Sequence, residues 1–138
     1  MTAFLLETNV ISELVRPAPN PGVFRFLTNE DDLWLSVVTL HELAYGAALI
    51  PEAVSRNRIE NWIEAMKSRF AGRLIAIDGP IAEWAGRARA TAMANGRVIT
   101  PLDSLIGATA QIRALTLATR NTRDFEPLAV VAVNPWTA

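Results

Sequence analysis

Five short apolar runs, each handed on to a helix-like pattern, constrain this chain more than any other feature. Phe4-Leu5-Leu6, Leu33-Trp34-Leu35, Leu74-Ile75-Ala76-Ile77, Thr116-Leu117-Ala118-Thr119 and Val130-Val131-Ala132-Val133 have the length and content of buried strands. The clearest helix between them sets Ile59, Trp62, Ile63, Met66 and Phe70 on one stripe, with Arg58, Glu60, Glu64 and Lys67 off it. A second runs through Ile81, Trp84, Ala85 and Ala88, opened by Asp78-Gly79-Pro80 and closed near Asn95-Gly96. Strands alternating with helices predict an α/β domain on a mostly parallel sheet with right-handed crossovers. Function in such sheets gathers at the carboxyl ends of the strands. The Pro-rich stretch from Arg16 to Pro21 is read as a connector. With 138 residues, one domain over 1–138 with one substantial core is expected.

Composition narrows the chemistry. Thirteen basic and fourteen acidic residues give a net charge of −1, which excludes a strongly basic nucleic-acid coat but not a local basic groove. The chain has no cysteine, so zinc–thiolate sites and cysteine nucleophiles are out. His41 is its single histidine, so no multi-histidine metal site can form. Neither a membrane span nor a secretory signal is visible, and a cytoplasmic protein is expected.

The acids carry the signal. Glu7 follows the first apolar run, and Glu42 follows the second and is read as opening a helix. Asp103 opens the helix 102–113, and Asp124 follows the fourth run. Each also has a plain structural explanation. Thr39-x-x-Glu42 has capping-box spacing, Thr100-Pro101-Leu102-Asp103 repeats it with Pro101 in the first turn, and Asn121-x-x-Asp124 repeats it again. Together, however, several carboxylates at one sheet edge repel unless a cation joins them. Oxygen-only ligands suit Mg²⁺ or Mn²⁺, which support phosphodiester hydrolysis without histidine or cysteine.

Four motif segments in order, and a closing segment after them, resemble one family. Phe4-Leu5-Leu6-Glu7-Thr8-Asn9-Val10-Ile11-Ser12-Glu13 resembles its opening motif. Ser36-Val37-Val38-Thr39-Leu40-His41-Glu42-Leu43-Ala44-Tyr45-Gly46 resembles its second. The run from Gly96 to Asp103, continued by Ile106–Ala110, resembles its third. Leu117-Ala118-Thr119-Arg120-Asn121-Thr122-Arg123-Asp124-Phe125 resembles its fourth, and Val133-Asn134-Pro135-Trp136 resembles its close. The chain is thus similar to PIN-domain ribonucleases of the VapC/FitB type, the toxins of bacterial type II toxin–antitoxin pairs.

That resemblance implies a three-layer α/β/α sandwich and an Mg²⁺- or Mn²⁺-dependent endoribonuclease that cleaves RNA with metal-activated water. It also implies a homodimer, a cognate antitoxin that inhibits it, and contact with operator DNA only through that antitoxin. It assigns Glu7, Glu42, Asp103 and Asp124 to catalysis, with Glu7, Asp103 and Asp124 on the metal. Asn9, Ser36, Thr119 and Asn121 would orient the acids by hydrogen bonds. Arg120 and Arg123 would bind the RNA backbone; Arg87, Arg89 and Arg97 are wider candidates. The departure is Glu7, where the family has aspartate. One extra methylene extends reach by ~1.5 Å, and a misplacement of ~1 Å can cost ~100-fold in rate. An attenuated enzyme is therefore expected; the alternative is an impaired module that works by binding antitoxin or RNA.

Smaller expectations complete the reading. Ser36 would support Glu42, Ser104 sits on a helix surface, and His41 is solvated. The four tryptophans belong to core or interface. Gly46 and Gly107 mark close backbone packing, the second against the sheet or a dimer mate.

Overall fold

The computed structural model describes residues 2–137. Five parallel strands form one sheet in the order β3-β2-β1-β4-β5. They are β1 (Phe4–Leu6), β2 (Leu33–Ser36), β3 (Leu74–Ile75), β4 (Thr116–Ala118) and β5 (Ala132–Val133). All five fall on the apolar runs: β1 matches its run, β2 extends its run to Ser36, and the other three are trimmed, with Ala76, Ile77, Thr119, Val130 and Val131 outside the strands. The helices are α1 (Thr8–Ser12), α2 (Pro21–Asn29), α3 (Val37–Ala48), α4 (Ala53–Arg69), α5 (Gly79–Ala94) and α6 (Pro101–Ile112). Two 3₁₀ segments, Glu13–Val15 and Thr122–Leu128, complete the described chain.

Strand alternation builds the sandwich. On β1, Phe4 and Leu6 join one core cluster with residues of α1 to α4, while Leu5 joins the other with α5 and α6. On β2, Leu33 and Leu35 face the first cluster and Trp34 packs on the second. The stripe on α4 buries Ile63 and Met66, with Phe70 at its C-cap and Ile59 and Trp62 at its margin. Helix α5 starts where Asp78 accepts a hydrogen bond from the Ile81 N–H at 3.0 Å and ends at Asn95, as its sequence signals require. Trp62 and Trp136 flank one core and Trp34 and Trp84 the other, so all four pack rather than stand free.

Several local expectations are corrected. The Pro-rich connector is shorter than read: Asn20 caps α2 and Pro21 is its first residue. Gly46 has open space where a Cβ would stand, so no close packing requires it. Gly107 is packed as expected, but its partner is Leu128: a Cβ at 107 would run into the Leu128 Cδ1. Ser104 is buried, not on a surface, and its hydroxyl donates to the Pro101 carbonyl at 2.6 Å.

Candidate active site

Connections leave β1 and β4 in opposite directions across the sheet, and a crevice opens outside the carboxyl ends of two such strands. Glu7 stands there at the end of β1. Its backbone is pinned on both sides. The Glu7 N–H donates to Ala118 on β4 at 2.9 Å, and the Glu7 carbonyl accepts from the Val10 N–H at 2.9 Å. Its side chain caps α1, accepting from the Asn9 N–H at 3.2 Å.

Glu42 arrives by a different route from the one its spacing predicted. Ser36, not Thr39, caps α3, accepting from the Val38 N–H at 3.0 Å. Thr39 is wholly buried inside the helix and Glu42 lies in the second turn, so the capping box is not formed. The residue holding Glu42 is Thr8, whose hydroxyl donates to Oε1 at 2.6 Å and lies 3.3 Å from the Thr39 hydroxyl. Sequence reasoning missed Thr8, because this contact joins positions 34 residues apart. The available signal was a hydroxyl set between the first acid and Asn9 at a strand-to-helix turn. Ser36 positions α3 as a whole and makes no hydrogen bond to Glu42.

Asp103 sits as its motif predicts. Thr100 caps α6 and accepts from the Asp103 N–H at 3.2 Å, with Pro101 in the first turn. Asp124 is exposed in the first turn of the 3₁₀ segment. Asn121 gives that segment no side-chain cap; its backbone carbonyl accepts from the Asp124 N–H at 3.0 Å. Thr119, fully buried, accepts from the Asn121 N–H at 3.0 Å, and Asn9 Oδ1 accepts from the Arg120 N–H at 3.3 Å. Asn9 and Thr119 therefore fix the loop that carries Asp124. A further buried acid, Glu13, accepts from the Asn20 N–H at 2.8 Å and closes the loop before α2, apart from the site.

The four acids lie near enough to influence one another's charge. Burial pushes the Glu7 carboxyl up to about 7, opposed by the Asn9 N–H and reinforced by Glu42, Asp103 and Asp124. Burial also raises Asp103, opposed by Thr100 and reinforced by Asp124 and Glu42. Among the described residues no three acidic or histidine side chains are drawn into one compact ligand set. The all-oxygen donors and their mutual repulsion nevertheless fit a hard divalent cation that keeps part of its water.

The sign of the resulting pH dependence follows. Glu7 holds a proton in the native state at pH values where the unfolded chain has lost it. The contribution of Glu7 to metal-free stability is therefore highest below pH ~4.5, falls as pH rises toward 7, and levels off above it. The full penalty is on the order of 3 kcal/mol for a group this buried. Glu7→Gln, which keeps an acceptor for the Asn9 N–H, is expected to raise the melting temperature in EDTA by several degrees at pH 8 and hardly at pH 5. Thermal melts of both forms across pH 4.5–8 provide the check. A constant difference at every pH would contradict the burial cost.

A cleft of about 440 Å³ lies against Asp103 and Asp124, with Arg97 and Arg123 among its walls. Arg120 points elsewhere: its guanidinium lies 5.2 Å from the centre of the Trp136 ring. Arg87 pairs with Glu83 at 3.1 Å, and Arg89 donates to the Ile99 carbonyl at 3.2 Å. The basic wall of the site is thus Arg97 and Arg123.

The PIN domain family model matches residues 4–131. The chain belongs to the PIN-domain family. This PIN domain is 38% identical over 135 residues to Toxin FitB of Neisseria gonorrhoeae, covering 96% of this chain and 97% of that protein. It is 33% identical over 139 residues to the tRNA(fMet)-specific endonuclease VapC of Shigella flexneri, covering 99% and 100%. The crystal structure of FitAcB from Neisseria gonorrhoeae superposes with a TM-score of 0.92 at 38% identity, covering 98% of this chain and 99% of that one. The structure of FitAB bound to an IR36 DNA fragment superposes at 0.90 and 37% identity, covering 96% and 95%. The PIN domain therefore sits with the VapC/FitB toxins.

Proposed function

We propose that the protein is a divalent-metal-dependent endoribonuclease toxin, restrained by a cognate antitoxin and attenuated by Glu7. The observation that carries this is the placement of Glu7, Glu42, Asp103 and Asp124 at one strand edge, where burial first, and then their mutual repulsion, raises the pKa of Glu7 and of Asp103. Glu7, Asp103 and Asp124 would hold Mg²⁺ or Mn²⁺, some of them through water, with Glu42 kept in place by Thr8. Such an ion neutralises charge developing on the phosphate and makes a nearby water more acidic. The chain's own work is then to position. Arg97 and Arg123 draw in the RNA backbone, α6 aims Asp103 into the crevice, and Asn9 and Thr119 keep the Asp124 loop in register. The extra methylene of Glu7, bent back onto Asn9 and buried, favours a weakened site over an optimal one. A homodimer in the cytoplasm completes the proposal. No helix among the described residues is long and apolar enough to cross a membrane.

The antitoxin has a candidate seat. Between α3 and α4 runs a groove of about 390 Å³ bordered by Ala44, Ala47, Ala48 and Ile63, with Glu60 and Glu64 at its rim. Small side chains there admit an apolar helix, and the relatives include FitAB complexes. An arginine from the same partner would neutralise the acids by bidentate pairing. Contact with operator DNA would come only through that partner. Co-expression with the neighbouring gene is expected to yield a complex whose RNA cleavage is suppressed.

The direct test is RNA cleavage by the purified chain with Mn²⁺ and with EDTA. Cleavage is expected in the first and none in the second. Cleavage that persists in EDTA overturns the metal dependence. Inertness of both this chain and its Glu7→Asp variant overturns the nuclease reading in favour of a binding module.

A further inference from the structure

The acid cluster separates two clefts of unlike character. One is the cleft walled by Arg97 and Arg123. The other, about 530 Å³, is lined by Thr8, His41, Glu42, Tyr45 and Leu102. Leu102 of the second cleft and Asp103 of the first are consecutive residues at the start of α6, and Glu42 belongs to both the second cleft and the acids. No arginine or lysine lines this second cleft.

Helix geometry explains its surface. His41 and Tyr45 are four residues apart, and Glu42 and Tyr45 three, so all lie along one side of α3. Tyr45 is 63% exposed, a large aromatic face left in solvent beside a reactive centre. The alanines 44 and 48 line the other groove, toward α4. One helix thus offers a small-residue side to one groove and an aromatic side to the acid site.

We propose that the Tyr45 cleft is a nucleobase subsite. The base next to the scissile phosphate stacks on the Tyr45 ring, with Leu102 across from it and His41 at its edge. The strand's other flank follows Arg97 and Arg123. This rests on the ribonuclease reading and adds which part of the nucleotide is held where. Every base offers a π-face to an aromatic side chain. A cleft with an aromatic wall and no strong cation suits a base, as the arginine-lined cleft suits phosphates. Its continuity with the acids, through Glu42, places that base beside the bond to be cut.

Tyr45→Ala tests it in an Asp103→Asn background, which is expected to hold RNA without cutting it. The probes are a fluorescein-labelled single-stranded RNA dodecamer of mixed sequence and an abasic strand of equal length, read by anisotropy. Removing one stacking partner is expected to weaken RNA binding roughly 5–150-fold, the equivalent of ~1–3 kcal/mol. Tyr45→Trp should restore it, and the abasic strand should bind all forms alike. Unchanged RNA affinity, or equal losses for both strands, overturns the subsite. So does loss of the co-expressed neighbour's product with RNA binding intact, which assigns the cleft to the antitoxin instead. The unsubstituted chain is assayed first for Mn²⁺-dependent cleavage. If it cleaves and Tyr45→Ala binds normally, only the subsite falls; if it neither cleaves nor binds RNA, the ribonuclease reading falls with it.

Discussion

Replacing Asp103 with asparagine is expected to cut metal-dependent RNA cleavage by at least ~100-fold, above what loss of a partner behind a ligand costs, while leaving the metal-free fold as stable or more so. Two opposing effects decide the stability. A carboxylate in the first turn of α6 gains ~0.3–1 kcal/mol from the helix dipole. Against this stand burial and the repulsion of Asp124 and Glu42, which together raise the Asp103 pKa. A raised value means that charge is net unfavourable there, so the second effect wins. The cap survives the change, since Thr100 accepts from the backbone N–H of residue 103 and not from its side chain. Cleavage across a Mn²⁺ titration, alongside thermal melts in EDTA, gives both readouts. Full activity in a folded variant would remove Asp103 from the metal site.

Glu7→Asp is expected to raise nuclease activity ten-fold or more, on the order of 1.4 kcal/mol of barrier. The backbone of Glu7 cannot shift to absorb a longer side chain, because hydrogen bonds to Ala118 and Val10 hold it on both sides. The carboxylate instead bends back to the Asn9 N–H at 3.2 Å. Aspartate also caps helices well, so the shorter acid keeps α1 while its oxygens move relative to the other acids. Reaction geometry is sensitive at this scale, with reacting atoms needed ~3–3.5 Å apart. Parallel assays of both forms on one RNA, over a range of Mn²⁺, decide the matter. Equal rates at every concentration would make Glu7 a tolerated ligand or none.

Much of this molecule can be read from its amino acids, for identifiable reasons. The strands were legible because parallel strands buried on both faces are short and largely apolar, as Phe4–Leu6 is throughout and Thr116–Ala118 is but for Thr116. Helix α6 was legible because Thr100, Pro101 and Asp103 mark its start in local chemistry. Helix α3 was not, because two hydroxyls compete for its cap. Ser36 and Thr39 both fit, and only the end of β2 at Ser36 chooses between them. Helix α1 escaped notice because its five residues are too few to show a period. In the site, the acids announced themselves by type and place. Thr8 did not, since the value of its hydroxyl depends on which helix packs opposite. Of the arginines, Arg123 lines the cleft as its place in the fourth motif suggested and Arg97 joins it, while the side chain of Arg120, equally near in sequence, lies over Trp136.

The strand order has a consequence for how the protein is made. The central strand β1 is synthesised first, but its neighbour β4 comes from much later in the chain, and the bond between Asn9 and Arg120 spans 111 residues. A ribosome adds roughly 5–20 residues each second, so Glu7 exists for several seconds before Asp124 does. Until β4 docks, neither the sheet's far half nor the Asp124 loop has anything to rest on. On the proposed function, a nascent chain that lacks β4 is expected not to cleave RNA. The Asp124 loop can take its place beside Glu7 only once β4 has paired with β1.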